Sequence, residues 1–160
     1  VNDVKVAVIV GSASDAEQIK GCRDTLDRLG IGHEAKVLSA HRTPDELAAY
    51  VESLPGRGIE VVIAAAGMAA HLAGVVAAHT ALPVLGVPMA AGALQGIDAL
   101  LATVQMPPGV PVGTLGIGSP GGKNAAYLAA RILALGHPEV KAALTDAIAA
   151  DRERVLQSEI

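Results

Sequence analysis

A chain of 160 residues with no low-complexity break has the length of one ordinary domain, residues 1–160, with a real core and no linker. Hydrophobic residues make up 51% of it and aromatics only 1%, so Ala, Val, Ile and Leu must build the interior on closely approaching backbones. A net charge of −4, with basic residues scattered along the chain, excludes a nucleic-acid partner, because a phosphate backbone needs a basic face.

"VKVAVIVG", Val4 to Gly11, is a β-branched run closed by glycine and reads as the first strand. The stretch after it, "SASDAEQIKGCRDTLDRLG", places Ile19, Cys22, Leu26 and Leu29 at helical spacing. "HEAKVLSA" is a short second strand, and "TPDELAAYVESL" opens a helix with Thr43 as N-cap, Pro44 at the first helical position and Glu46 completing a capping-box pattern. "EVVIAAAG" follows as the third strand, "HLAGVVAAHT" as a short helix, "LPVLGVP" as the fourth strand and "LQGIDALLATVQM" as the next helix. "PVGTLGIG" is the fifth strand, "KNAAYLAARILAL" its helix, and "PEVKAALTDAIAADRERVLQSEI" a long terminal helix ending at Ile160. Five strands alternating with helices, plus one extra helix, predict an α/β domain with a doubly wound parallel sheet.

From Val61 to Ile97 there is no Asp, Glu, Lys or Arg, a length that would suit a membrane hairpin. Gly67, His71, His79, Pro83 and Pro88 interrupt that stretch, and alanine and glycine dominate it, so a buried strand, helix and strand is the better reading and no membrane partner is expected. The lone Cys22 can form no intramolecular disulfide, which fits a reducing cytoplasm. The first strand begins so near Val1 that no signal peptide is expected.

In such a sheet the ligand sits beyond the carboxyl ends of the strands. The loops there are residues 11–15, 39–44, 67–71, 88–92 and 118–122. "GSASD" offers the hydroxyls of Ser12 and Ser14 at a helix start and the carboxylate of Asp15, a set that suits a phosphate and sugar hydroxyls but also suits plain N-capping. "SAHRTP" adds the planar guanidinium of Arg42, made for an anion, and His41, whose ordinary pKa of about 6.5 lets it act as acid or base near neutrality. Gly67 lets backbone approach a ligand, and His71 opens the following helix, where a histidine is more often structural than catalytic. His33, His79 and His137 lie away from these loops, and no histidine pair has metal-ligand spacing.

Gly116, Gly118 and Gly121 spell G-x-G-x-x-G before a helix, but they follow the last strand rather than the first, which argues against dinucleotide binding. A P-loop also fails, because Asn124 follows Lys123 where Ser or Thr is required.

The segments "GSASD", "SAHRTP", "AGMAAHLAG", "PVLGVP" and "VQMPPGVPVGTLGIG", in this order and spacing, resemble the N5-carboxyaminoimidazole ribonucleotide mutase family of purine biosynthesis over nearly the whole chain. The resemblance implies a three-layer, flavodoxin-like sheet of five parallel strands with an extra C-terminal helix. It implies that the carboxylate on the exocyclic nitrogen of N5-carboxyaminoimidazole ribonucleotide moves to ring carbon C4, with no ATP, metal or organic cofactor. It implies a cytoplasmic homo-octamer with active sites near subunit contacts. By the same resemblance Ser12, Ser14 and Asp15 match the phosphate- and ribose-binding loop, Arg42 the phosphate contact, and His41 the general acid/base. Ser39, Gly67, His71 and Leu72 match the base and carboxylate end. Protonated His41 would deliver a proton to C4 as CO2 leaves the nitrogen; the trapped CO2 would then bond to C4, and neutral His41 would take the C4 proton away.

Three positions depart from that family. Met68 stands where a second glycine is usual, Ala73 where proline is usual, and Pro108 where arginine is common. The first two bear on the loop beside the carboxylate site. Two other readings stay open on the sequence: a carboxylase adding free CO2 to aminoimidazole ribonucleotide, and a non-catalytic phosphosugar-binding module on the same fold.

Overall fold

The first strand shows why the chain folds as it does. In the computed structural model, which describes residues 3–158, β1 (Val4–Val10) sends Val6, Val8 and Val10 into one apolar cluster and Ala7 and Ile9 into another. Both faces of the strand are covered, so it carries apolar residues without the polar alternation of a half-exposed strand. Around it stand β2 (Gly32–Val37), β3 (Val61–Gly67), β4 (Val84–Met89) and β5 (Gly113–Thr114) in the order β2-β1-β3-β4-β5. Every pairing is parallel. This is the flavodoxin-like doubly wound order, in which chain direction switches between β1 and β3.

The helices are α1 (Asp15–Gln18), α2 (Lys20–Arg28), α3 (Pro44–Ser53), α4 (Leu72–Ala78), α5 (Ile97–Val104), α6 (Gly118–Leu133) and α7 (Pro138–Leu156). On one face of the sheet Cys22 and Leu26 of α2, four alanines of α6, and Val140 and Leu144 of α7 complete the first cluster. On the other, Leu47 and Val51 of α3 meet Leu72, Ala73 and Val76 of α4. Thr103 of α5 lies on this same side, where a Cβ on Gly86 of β4 would meet its Cγ2 at 2.5 Å and Ala73 at 3.4 Å. Small residues thus bring helices and sheet into close contact, as the scarcity of aromatics requires.

Several boundaries differ from the sequence reading. The first helix is broken at Ile19 into α1 and α2, with the Cys22 N–H bonding the Ile19 carbonyl in a tight turn. The second strand ends at Val37, and the last ladder-like bond runs from the Leu38 N–H to the Val10 carbonyl. Thr43 makes no side-chain cap to α3 because its hydroxyl turns back onto Ser39. The fifth strand shrinks to two residues, and α6 starts at Gly118, five residues before the expected Lys123. The cause is packing: a Cβ on Gly121 would stand 1.6 Å from the Gly116 carbonyl oxygen, and one on Gly122 3.0 Å from Ile19 Cδ1. These glycines let the first turn of α6 press on its neighbours, which outweighs their poor helix propensity of about 1 kcal/mol each. The last helix ends at Leu156; Glu159 and Ile160 at its expected end, like Val1 at the start, lie outside the described residues.

Leu94, Ile97, Leu101 and Val104, spaced as one helical stripe on and just before α5, are exposed in the single chain. Among the described residues no helix is long and apolar enough to cross a membrane.

Candidate active site

A cleft of about 460 Å³ opens beyond the carboxyl ends of β1, β2 and β3, around the point where chain direction switches. Ser12, Ser14, Asp15, Ser39, His41, Arg42, Gly67, His71 and Leu72 all line it. Of the five expected loops, 88–92 reaches the cleft through Ala91 alone, and 118–122 contributes no lining residue. That last loop is occupied instead with the contact between Gly116 and Gly121.

The loop after β1 is wired from within. The Ser12 hydroxyl donates to Asp15 Oδ2 at 2.9 Å and lies 2.7 Å from the Ser14 hydroxyl. Asp15 is only 7% exposed, so its carboxylate is held in place rather than free in solvent. Because α1 has four residues before the break at Ile19, the helix dipole there is weak. Anion-binding capacity rests on the hydroxyls and on Arg42, whose guanidinium is exposed and forms no ion pair among the described residues.

Ser39 and Thr43 knot the second loop. The Ser39 hydroxyl accepts the N–H groups of His41 and Arg42 at 3.3 and 3.2 Å. The Thr43 hydroxyl accepts the Ser39 N–H at 2.9 Å and donates to the Ser39 carbonyl at 3.1 Å. Both acceptor sites of the Ser39 hydroxyl are therefore used to shape the loop, leaving its proton as the one bond it has to offer a ligand. Thr43, read from sequence as a helix cap, is part of the brace that presents His41 and Arg42.

The third loop supplies His71. Its Nδ1 lies 2.7 Å from His41 Nε2, with the rings nearly perpendicular at 86°. A nitrogen–nitrogen contact of this length holds one proton, donated by one ring and accepted by the other. If His41 donates from Nε2, its Nδ1 is left with a lone pair or, in the doubly protonated ring, a second proton to give. The turn that carries His71 is closed by the Ala70 N–H on the Gly67 carbonyl at 3.1 Å, with Met68 at φ 57° and Ala70 at φ 44°. Gly67 has no room for a side chain, since a Cβ there would meet Ala91 at 3.1 Å and the Met89 carbonyl at 3.2 Å. Leu72 is almost wholly buried in the core and shows the cleft only an edge.

Sequence reasoning missed the alanines at 40, 66, 69, 70 and 91, which also line the cleft and carry no chemical signal of their own. It also missed Gln18, whose amide donates to the Ala90 carbonyl at 3.4 Å and ties α1 to the loop after β4. His33, His79 and His137 lie outside the cleft and pair with Asp27, Glu52 and Glu60.

A family model described as AIR carboxylase matches residues 5–154. The chain belongs to this family. It is 54% identical to the N5-carboxyaminoimidazole ribonucleotide mutase of Pseudomonas aeruginosa over 153 residues, covering 96% of this chain and 94% of that protein. It is 46% identical to the Escherichia coli protein of the same name over 157 residues, covering 98% and 93%. The crystal structure of Treponema denticola PurE superposes with a TM-score of 0.84 over 95% of this chain and 94% of that one, at 24% identity, a likeness of fold.

Proposed function

We propose that this chain is an N5-carboxyaminoimidazole ribonucleotide mutase, an isomerase of purine biosynthesis that moves a carboxylate from the exocyclic nitrogen to ring carbon C4. The observation that carries the reading is one cleft holding a hydrogen-bonded histidine pair at one place and hydroxyls, a buried carboxylate and an unpaired guanidinium at another. Relatives bearing the mutase name over more than nine-tenths of the chain support it.

In the reaction the carbamate C–N bond breaks with its electron pair left on the aminoimidazole, which takes up one proton as CO2 forms. The C4 carbon then gives an electron pair to CO2, and the C4 hydrogen leaves as a proton. One proton is delivered and one recovered, so a single group suffices that gives its proton, waits as its conjugate base and ends as the acid it began as. His41 fills that role, and His71 fixes the tautomer and orientation of its ring, as the third group does in a nucleophile–base constellation. Arg42, Ser12 and Ser14 hold the phosphate, Asp15 the ribose hydroxyls, and Ser39, Gly67 and Leu72 shape the end where the carboxylate moves. No step needs a cofactor.

The remaining expectations join this reading. Residues 1–160 form a single domain working in the cytoplasm. The exposed stripe of Leu94, Ile97, Leu101 and Val104 supports assembly with further copies of the chain, to the homo-octamer that the family resemblance implies. Light scattering of the purified protein measures that number directly.

The test is conversion of freshly prepared N5-carboxyaminoimidazole ribonucleotide to its C4 isomer without ATP or added bicarbonate. Conversion by the wild type, lost in His41→Asn, is the expected result. Carboxylation of aminoimidazole ribonucleotide only when bicarbonate is supplied would replace the mutase with a carboxylase, and activity retained in His41→Asn would remove His41 from the mechanism.

A further inference from the structure

Different elements hold the two ends of the cleft. Ser12, Ser14 and Asp15 stand at one end, on and just before α1, and Gly67 and His71 stand at the other, in the turn after β3. The sheet joins the two ends on one side, where the Gly11 N–H donates to the Ala65 carbonyl at 3.0 Å. The loop after β4 touches both. Its Ala91 methyl packs on Gly67, where a Cβ would meet it at 3.1 Å, and its Ala90 carbonyl accepts the Gln18 amide at 3.4 Å.

That second contact stands out because neither partner is otherwise well fixed. Helix α1 is a single turn, cut off from α2 at Ile19. The loop after β4 runs through left-handed backbone at Gly92, Gln95 and Gly96, with φ of 62°, 49° and 92°. Its own side-chain bond is the Gln95 amide on the Gly92 carbonyl at 2.6 Å. Among the described residues, Gln18 makes the one side-chain hydrogen bond that reaches this loop from another element. Gln18 is the last residue of α1, three after Asp15, and does not line the cleft itself.

We propose that Gln18 is a positioning residue: by holding the Ala90 carbonyl it fixes α1 against the loop after β4, so that the hydroxyl end and the His71 end of the cleft stand at the separation one nucleotide spans. The inference rests on the mutase reading above, which supplies a ligand long enough to reach both ends. Without the tie, the same groups would still meet the ligand, but the loop would have to be ordered on binding. That cost falls on affinity for a ligand that spans the cleft, and spares one that occupies the hydroxyl end alone.

Calorimetry with two probes tests this. Ribose 5-phosphate carries the phosphate and sugar alone, whereas 4-carboxyaminoimidazole ribonucleotide spans both ends. The variant is Gln18→Met, which keeps an unbranched side chain of similar length and has no proton to donate. It should bind the nucleotide about 3- to 10-fold more weakly, the range of one neutral hydrogen bond, and bind ribose 5-phosphate like the wild type. In the conversion assay KM should carry the same factor while kcat stays within about twofold, because bound substrate meets the same groups. Amide exchange of residues 90–93 should speed up. Nucleotide affinity unchanged in Gln18→Met, an equal loss for both probes, a loss carried by kcat with KM unmoved, or unchanged exchange would each overturn the tie and leave the mutase standing. A wild type that binds the nucleotide without converting substrate overturns the mutase instead, and the ratio of the two affinities still decides the role of Gln18. A wild type that binds neither probe overturns both.

Discussion

Replacing His71 with leucine removes the nitrogen 2.7 Å from His41 Nε2 while keeping an apolar side chain of moderate size beside Leu72. A hydrogen bond to a group that becomes charged is worth about 1.5–3 kcal/mol net. At 1.36 kcal/mol per factor of ten, kcat should fall about 10- to 150-fold, toward the lower figure because both rings are exposed to solvent screening. His41→Asn removes the proton carrier itself and should cost about 10²–10⁴. Since His71 acts through His41, the double variant should be no slower than His41→Asn alone. The assay is the rate of C4-isomer formation at saturating substrate, with KM determined in parallel. A positioning role predicts that KM moves little, that kcat carries the loss, and that His71→Asn, which keeps an acceptor, recovers part of it. Wild-type kcat in His71→Leu, or a double variant showing the product of the two single losses, would refute the argument.

Ser39→Ala deletes the acceptor for the His41 and Arg42 N–H groups, two bonds of about 0.5–1.5 kcal/mol each, so kcat/KM should drop with KM rising as the anion contact loosens; steady-state kinetics check it. An unchanged KM would mean that the Thr43 knot alone holds the loop. Burial raises the pKa of Glu34, but the Tyr50 hydroxyl and the Arg57 guanidinium lower it by more, leaving the carboxyl below its ordinary range. Its stabilising share is therefore present above the unfolded pKa of about 4.3 and is lost as pH falls through the folded value. Urea midpoints measured down the acid range should fall less steeply for Glu34→Gln than for wild type, and parallel curves would contradict this. Burial pushes the Cys22 thiol up to about 12, so a thiol reagent at about pH 8 should label it only after unfolding, and prompt labelling of the native protein would place it elsewhere.

The sheet was legible because strands covered on both faces must be apolar throughout, and "VKVAVIV", "VVIAAAG" and "VLGVPM" have no other economical reading in an alternating chain. What escaped was decided by contacts between distant residues. "GSPGGK" looks like a loop by propensity, yet it is helical because Gly121 fits against Gly116 and Gly122 against Ile19. The same contact accounts for Gly116 and Gly121 of G-x-G-x-x-G, which serve helix-to-loop packing away from the cleft. Thr43 has the sequence of a cap, but its hydroxyl meets Ser39 first, and local competition of this kind is invisible to a spacing rule.

The site followed a similar division. Residues with charge or hydroxyls announced themselves, and the rule for doubly wound sheets gathered their loops before any side chain was placed. The pairing of His41 with His71 did not, since the two are separated by α3 and β3 and only the crossover from β2 back past β1 to β3 brings them together. Alanines were silent for a different reason: they contribute shape by being small, as where the Ala91 methyl packs close to the Gly67 backbone without filling the cleft. A reaction that creates and consumes CO2 in place asks for walls more than for partners, because the fragment has no charge to hold. In the proposed reaction His41 carries the proton and His71 orients it, which leaves the holding of the fragment to the small apolar residues that line the cleft.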